Sequence, residues 1–212
     1  PPLHFAGPPL YDATIVAGSP ELWPSDEPHL HVDANHPWSP HAGVGSVFAQ
    51  ISPGFGYVGT GALISPRHVL TAGHVVETNN DGVADFAPED VLFILNASGS
   101  LSSIIEGAAV HIHPDFTGFN NPVVNDDLAI IELAEPAPAD VPIYPLYRNP
   151  LTDVQITRQV GYGQTGTGTD GYSGQLYLDV KRYGHNTIDL AEYDDEGSGL
   201  LEVWYADFDD PD

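Results

Sequence analysis

Leu70-Thr71-Ala72-Gly73-His74 and, further along, Asn125-Asp126-Asp127-Leu128-Ala129-Ile130 are the two stretches whose joint reading decides the fold. In the first, Gly59 to Thr71 sets small residues and a Ser65-Pro66-Arg67 turn between two apolar runs. That is the pattern of packed strands delivering His74 at a strand end. In the second, the apolar run Leu128 to Ile131 follows the aspartates directly and puts a carboxylate at the mouth of a buried strand. Chemistry ties the two together. A neutral imidazole can take the proton of a serine hydroxyl and return it to a leaving amine, provided a carboxylate fixes its tautomer and stabilises the imidazolium. His74 reads as the base. Asp126 and Asp127 compete for the orienting role, and register against Leu128 to Ile131 favours Asp127.

Working outward, residues 1–40 hold many prolines and few periodic runs and read as an extended arm or pro-segment. From 41 to 139, apolar runs alternate with Gly, Pro and Asn clusters: Val44 to Ile51, Gly61 to Ile64, His68 to Ala72, Val91 to Leu95, Ala108 to Ile112 and Leu128 to Leu133. Short runs rich in β-branched residues at this spacing predict an antiparallel barrel. A proline-rich linker, Ala134 to Pro142, leads into 140–212, where Gln155 to Tyr162, Gln175 to Tyr183, Thr187 to Leu190 and Leu200 to Phe208 predict further strands. Helical turns are expected only near Ala72 to Val76 and Pro88 to Val91.

On these residues the chain resembles the trypsin-like serine proteases, which carry an Ala-(Ala/Gly)-His motif and an Asn-Asp-(Ile/Leu)-Ala-Leu-like motif in this order. Further matches lie at His113-Pro114-Asp115-Phe116, like the family's His-Pro-x-Tyr, and at Gly161-Tyr162-Gly163, like Gly-Trp-Gly. Ile15-Val16-Ala17-Gly18 is similar to the Ile-Val-Gly-Gly start of activated members. The resemblance implies an all-β, chymotrypsin-like fold of two antiparallel six-stranded β-barrels, the second incomplete in this chain. It also implies an exported protein of the bacterial type, which does without disulfides. Val75 and Gly59 stand where many members carry a cysteine pair, and the chain has no cysteine at all. Ile15 follows Thr14 rather than a basic residue, so the chain is expected to be zymogen-like or to mature without that cut; the alternative is an ordinary apolar arm.

The nucleophile is the missing part. The family's Gly-Asp-Ser-Gly-Gly is absent from the 212 residues. In the family's chain order the serine follows the aspartate by about 90 residues, which from Asp127 falls a few residues past Asp212. Ser173, in Gly171-Tyr172-Ser173-Gly174, reads as a loop residue and a poor substitute. With no methionine anywhere and a start at Pro1-Pro2, the expectation is a processed chain. Its serine lies on a C-terminal fragment after Asp212, or else the chain is truncated or incompletely determined there.

Composition bounds the partners. Thirty acidic residues against five basic ones give a formal charge of −25, a field that repels nucleic-acid phosphate. No apolar stretch approaches the ~18 residues of a membrane span. Such acidity fits a saline or calcium-rich exterior, where self-repulsion is screened. The chemistry itself needs no cofactor. A structural calcium is expected from Glu77, Asn79, Asp81 and Asp85, which group hard oxygen donors around Gly82. Asp207, Asp209, Asp210 and Asp212 read as a solvated acidic loop. His29 with His31, and His111 with His113, would each face one way in an extended chain, as a zinc site needs. No third ligand is evident, so incidental spacing is the preferred reading. Asn96-Ala97-Ser98 matches the glycosylation triplet, a pattern common by chance.

The expected function is therefore an extracellular serine endopeptidase acting on protein or peptide substrates. An inert protease-like binding module is the alternative, and a histidine-ligated zinc hydrolase ranks below it for want of a His-Glu-x-x-His signature.

Overall fold

A computed structural model describes residues 4–5, 14–17, 28–116, 118, 125–149, 156–167, 171–173 and 176–206. Among them regular structure is strand, interrupted only by 3-10 turns at Pro28–His31, Gly73–Val75 and Pro88–Asp90. The first of these turns was not expected from the sequence; the other two fall where helical turns were predicted.

Two short N-terminal strands, β1 (His4–Phe5) and β2 (Thr14–Ala17), precede the main body. The barrel follows: β3 (Val44–Ser52), β4 (Phe55–Ser65), β5 (His68–Thr71), β6 (Val91–Leu95), β7 (Ser103–Ile112) and β8 (Ala129–Leu133). Each pairs antiparallel with its neighbour in the circuit β3-β4-β5-β8-β7-β6, and β6 returns to β3, so the sheet closes on itself. Closure leaves no unpaired edge within that circuit. Turn chemistry sets two of the registers. Pro53-Gly54 joins β3 to β4 with Gly54 at φ 78°, the second central position of a type II turn. Pro66-Arg67 joins β4 to β5, with Ser65 opposite His68.

The interior follows from period-two patterning. Ala129, Ile131 and Leu133 of β8 are buried, while Ile130 and Glu132 between them are half-exposed. They meet Val47, Leu63, Val69, Val91, Phe93 and Leu95 in one apolar core. Each fully buried side chain of this size contributes about 1.5–3 kcal/mol. Two strands are longer than their apolar runs. β4 starts at Phe55, six residues before Gly61, because Gly56, Gly59 and Gly61 offer no side chain for a hydrophobic pattern to register. β7 starts at Ser103, since its first half alternates with exposed residues.

Beyond Leu133 the chain crosses the barrel end, with Ala137 N–H donating to Pro66 O and Tyr144 N–H to Leu63 O. It then forms β9 (Ile156–Gly161), β10 (Gln164–Thr167), β11 (Gly171–Ser173), β12 (Arg182–Thr187), β13 (Leu190–Tyr193) and β14 (Leu201–Tyr205). These make three separate small sheets: β9 with β12, β13 with β14, and β10 between β11 and β2. The predicted strand Gln175 to Tyr183 is a correction, because its described part is irregular up to Lys181 and only Arg182 and Tyr183 join β12. Side-chain demands described below pull that stretch off a regular ladder.

Candidate active site

β5 and β8 are paired so that Thr71 lies opposite Ala129. The residues just after β5 and just before β8 therefore emerge at the same rim of the barrel. After β5, Ala72 is still extended, and the 3-10 turn Gly73–Val75 then swings His74 over the rim. From the other side, Asp127 Oδ1 accepts the His74 backbone N–H at 2.8 Å and Asp127 Oδ2 lies 2.6 Å from His74 Nδ1. A carboxylate only accepts, so Nδ1 carries the proton and Nε2 is the basic nitrogen. Both side chains are partly open, 27% and 19% exposed. Gly73 permits the approach: a Cβ there would stand 2.9 Å from the buried Phe116 ring and 3.2 Å from Asp127 Oδ1.

The two aspartates left in competition by the sequence have different partners. Asp127 holds His74. Asp126, in the left-handed region at φ 55°, instead lies 3.1 Å from His113 Nδ1 by Oδ1, and its N–H donates to Glu202 Oε1 at 2.9 Å. The segment His113 to Phe116 is anchored by His113 N–H to Leu128 O and by Phe116, which is buried beneath the rim. Gly59 and Val75 do adjoin. The Val75 methyls stand 2.5 and 2.8 Å from where a Gly59 Cβ would be, so apolar contact fills that space.

Other singled-out residues lie away from this rim or outside the description. The Ile15 backbone is in β2, parallel to β10 and opposite Thr165. Ser173 is not in an irregular loop but in the short strand β11, opposite Thr165 on the other side. Asn96 is no glycosylation site: it is fully buried, with Nδ2 donating to Tyr162 OH and Leu178 O, both at 2.8 Å, and Oδ1 accepting from Leu101 N–H. Asp207, Asp209, Asp210 and Asp212 lie outside the described residues.

The expected calcium loop is folded around its own amides. Glu77, fully buried, accepts with Oε1 from the N–H groups of Asn79 and Asp81, while its Oε2 is buried without a hydrogen bond. Asp85 accepts from Thr78 N–H, Thr78 OH and the Asn79 amide, and Asp81 from Val83 N–H. Among the described residues, three or more metal-binding side chains converge instead at Asp126, Asp195, Glu196 and Glu202. Among the described residues neither histidine pair joins a group of three or more metal-binding side chains. His29 and His31 lie in a 3-10 turn rather than a strand, and His31 sets its ring edge-on to Tyr183, centroids 6.2 Å apart. His113 turns to Asp126.

What the sequence reading missed is Lys181. It is the one lysine among the 212 residues, and it is completely buried. Its Nζ donates to His41 O at 2.7 Å, lies 3.4 Å from Val44 O and stands 3.8 Å from Asp33 Oδ1. Asp33 is itself held by Asn35 N–H and Ser39 OH, and its own N–H donates to Lys181 O. Burial pushes the Lys181 ammonium below its usual range, against the opposing pull of Asp33. Beside it Tyr162, the centre of Gly161-Tyr162-Gly163, bonds through its backbone to Thr60 and through its OH to Asn96, and burial pushes its phenol up. His41 is lowered by burial, with Arg158, Lys181 and His185 adding to the effect and Asp33 opposing it. One sequence signal pointed here: a lone lysine in a chain this acidic is not there for solubility.

No described helix is long and apolar enough to cross a membrane. A family model described as Trypsin matches residues 33–197. The venom serine protease Bi-VSP of Bombus ignitus is 37% identical over 86 residues, a stretch that is 41% of this chain and 22% of that protein. A solved structure described as "Structure of GrC" superposes with a TM-score of 0.52 at 20% identity, covering 72% of this chain and 63% of that one. The chain thus spans under two thirds of the length of these relatives.

Proposed function

This chain belongs to the trypsin family, and from that premise we propose that it forms the greater part of an extracellular serine endopeptidase. In this reading His74 is general base and acid, and Asp127 is the residue that orients it. The observation that carries the reading is the paired contact of one carboxylate with both the backbone N–H and Nδ1 of His74. It leaves Nε2 basic and aimed by a fixed ring.

The serine comes from a segment that follows Asp212 in the natural protein, either continuous with it or as a cut fragment packed against it. His74 Nε2 takes the proton of that serine hydroxyl as its oxygen bonds to the substrate carbonyl carbon. The same proton passes to the amine as the peptide bond breaks, leaving an acyl-enzyme that water hydrolyses by the same route. Donors for the oxyanion flank the serine on the same segment. The charge of −25 favours approach of basic protein or peptide substrates. A structural calcium at Glu77, Asn79, Asp81 and Asp85 is compatible with the oxygen-only chemistry of that loop, and the orphaned Glu77 Oε2 is the atom that asks for it.

Peptide hydrolysis by the full natural protein tests the reading. The expected result is turnover that disappears in His74→Ala, with the fold intact by circular dichroism. A folded wild-type protein that binds peptides without hydrolysing them would establish the inert module instead.

A further inference from the structure

Two carboxylate oxygens at the seam between the barrel and the β13–β14 hairpin are buried without a hydrogen bond: Asp126 Oδ2 and Glu202 Oε2. The Asp126 side chain is only 10% exposed. Buried acceptors of this kind normally find a donor or a cation. Here the neighbours are more acceptors, since Asp126, Asp195, Glu196 and Glu202 each bring a carboxylate oxygen within 4.8 Å of the others. Two nitrogen groups stand nearby and neither serves those two oxygens. The Asp126 N–H is spent on Glu202 Oε1, and His113 Nδ1 is next to Asp126 Oδ1, in an orientation that makes no hydrogen bond.

We infer that Asp126, Asp195, Glu196 and Glu202 form a binding site for a hard divalent cation of the calcium class, joining the barrel rim to the β13–β14 hairpin. The donor set is all oxygen, which disfavours zinc. All four oxygens lie within 4.8 Å of one another, close enough for one cation to bridge them, and a many-carboxylate set drawn from a turn and a strand suits the adaptable coordination of calcium better than the strict octahedron of magnesium. The site is half sunk: Asp126 and Glu202 are partly buried, and Asp195 and Glu196 are exposed at its mouth. It is separate from the Glu77 loop, where Asp81 Oδ1 and both Asp85 oxygens accept from local donors. Because Asp126 directly precedes Asp127, a bound cation would fix the turn from which the orienting carboxylate projects.

The test is equilibrium dialysis of the full natural protein, freed of metal with a chelator, against radioactive calcium at constant ionic strength, with thermal unfolding followed in parallel. Neither readout depends on hydrolysis. The expected result is saturable binding and a rise in Tm with calcium, weaker with magnesium. Glu202→Gln and the exposed-site variant Asp195→Asn should each lose at least tenfold in affinity, while Asp81→Asn keeps this binding. Affinity unchanged in Asp195→Asn, or a Tm rise that sodium reproduces at equal ionic strength, would overturn the site.

Discussion

The barrel meets the rest of the chain along two seams made of opposite materials. At the Lys181 seam the charged and polar groups that join the two sides are matched donor to acceptor: an ammonium on two carbonyls with a carboxylate nearby, an asparagine spanning a phenol and two backbone groups, a threonine locked to Tyr162. At the Asp126 seam oxygens face oxygens, and two of them are buried without donors. The first is a self-sufficient joint. The second adjoins the partly open pair His74 and Asp127. If the proposed function holds, the contrast means that stability and chemistry are housed at different joints of one molecule.

Exchanging the damage between the seams breaks or upholds that contrast. On the proposed function, Asp127→Asn is expected to cost the full natural protein about 10⁴-fold in kcat, because the wrong imidazole tautomer is then favoured. The denaturation midpoint should move little. Lys181→Met should do the reverse and remove about 3–5 kcal/mol of stability in urea unfolding, since Asp33 loses its counter-charge and His41 O its donor. Activity per folded molecule should persist, and adding Asp33→Asn should restore part of the loss. If Lys181→Met left the midpoint in place, the joint would not be where the stability lies.

The smallest effect expected is in pH. His41 sits at the Lys181 seam with its folded pKa below the unfolded 6.5. Beneath pH 6.5 the unfolded chain therefore takes up the proton first, and stability falls as pH drops through that window; above 6.5 the group contributes no slope. His41→Gln should flatten the stability curve between pH 6.5 and 5 relative to wild type. Equal slopes in the two proteins would remove His41 from the account.

The difference between the seams also explains what the sequence disclosed. The barrel was legible because its short apolar runs are rich in β-branched residues and are broken by Gly, Pro and Asn clusters. The pair at the rim was legible because His74 and Asp127 each sit at the end of an apolar run. β4 was half hidden by glycines, and the stretch before β12 was misread because Leu178, Val180 and Tyr183 look like a strand. In fact the Leu178 and Asp179 carbonyls are claimed by Asn96, Ser46 and Asn35, side chains distant in sequence. Lys181 and Asp126 owe their surroundings to groups distant in sequence, which no local pattern reports. The same holds for Asn96, whose triplet advertises a surface residue while the fold buries it.

The central claim is that His74 and Asp127 serve a serine lying beyond Asp212. The direct measurement is to treat the full natural protein with a serine-directed phosphonate and locate the adduct by peptide mass spectrometry. The account predicts one modified serine, C-terminal to Asp212, with labelling abolished in His74→Ala. Adduct on Ser173, or a folded protein that takes no label at all, would contradict it.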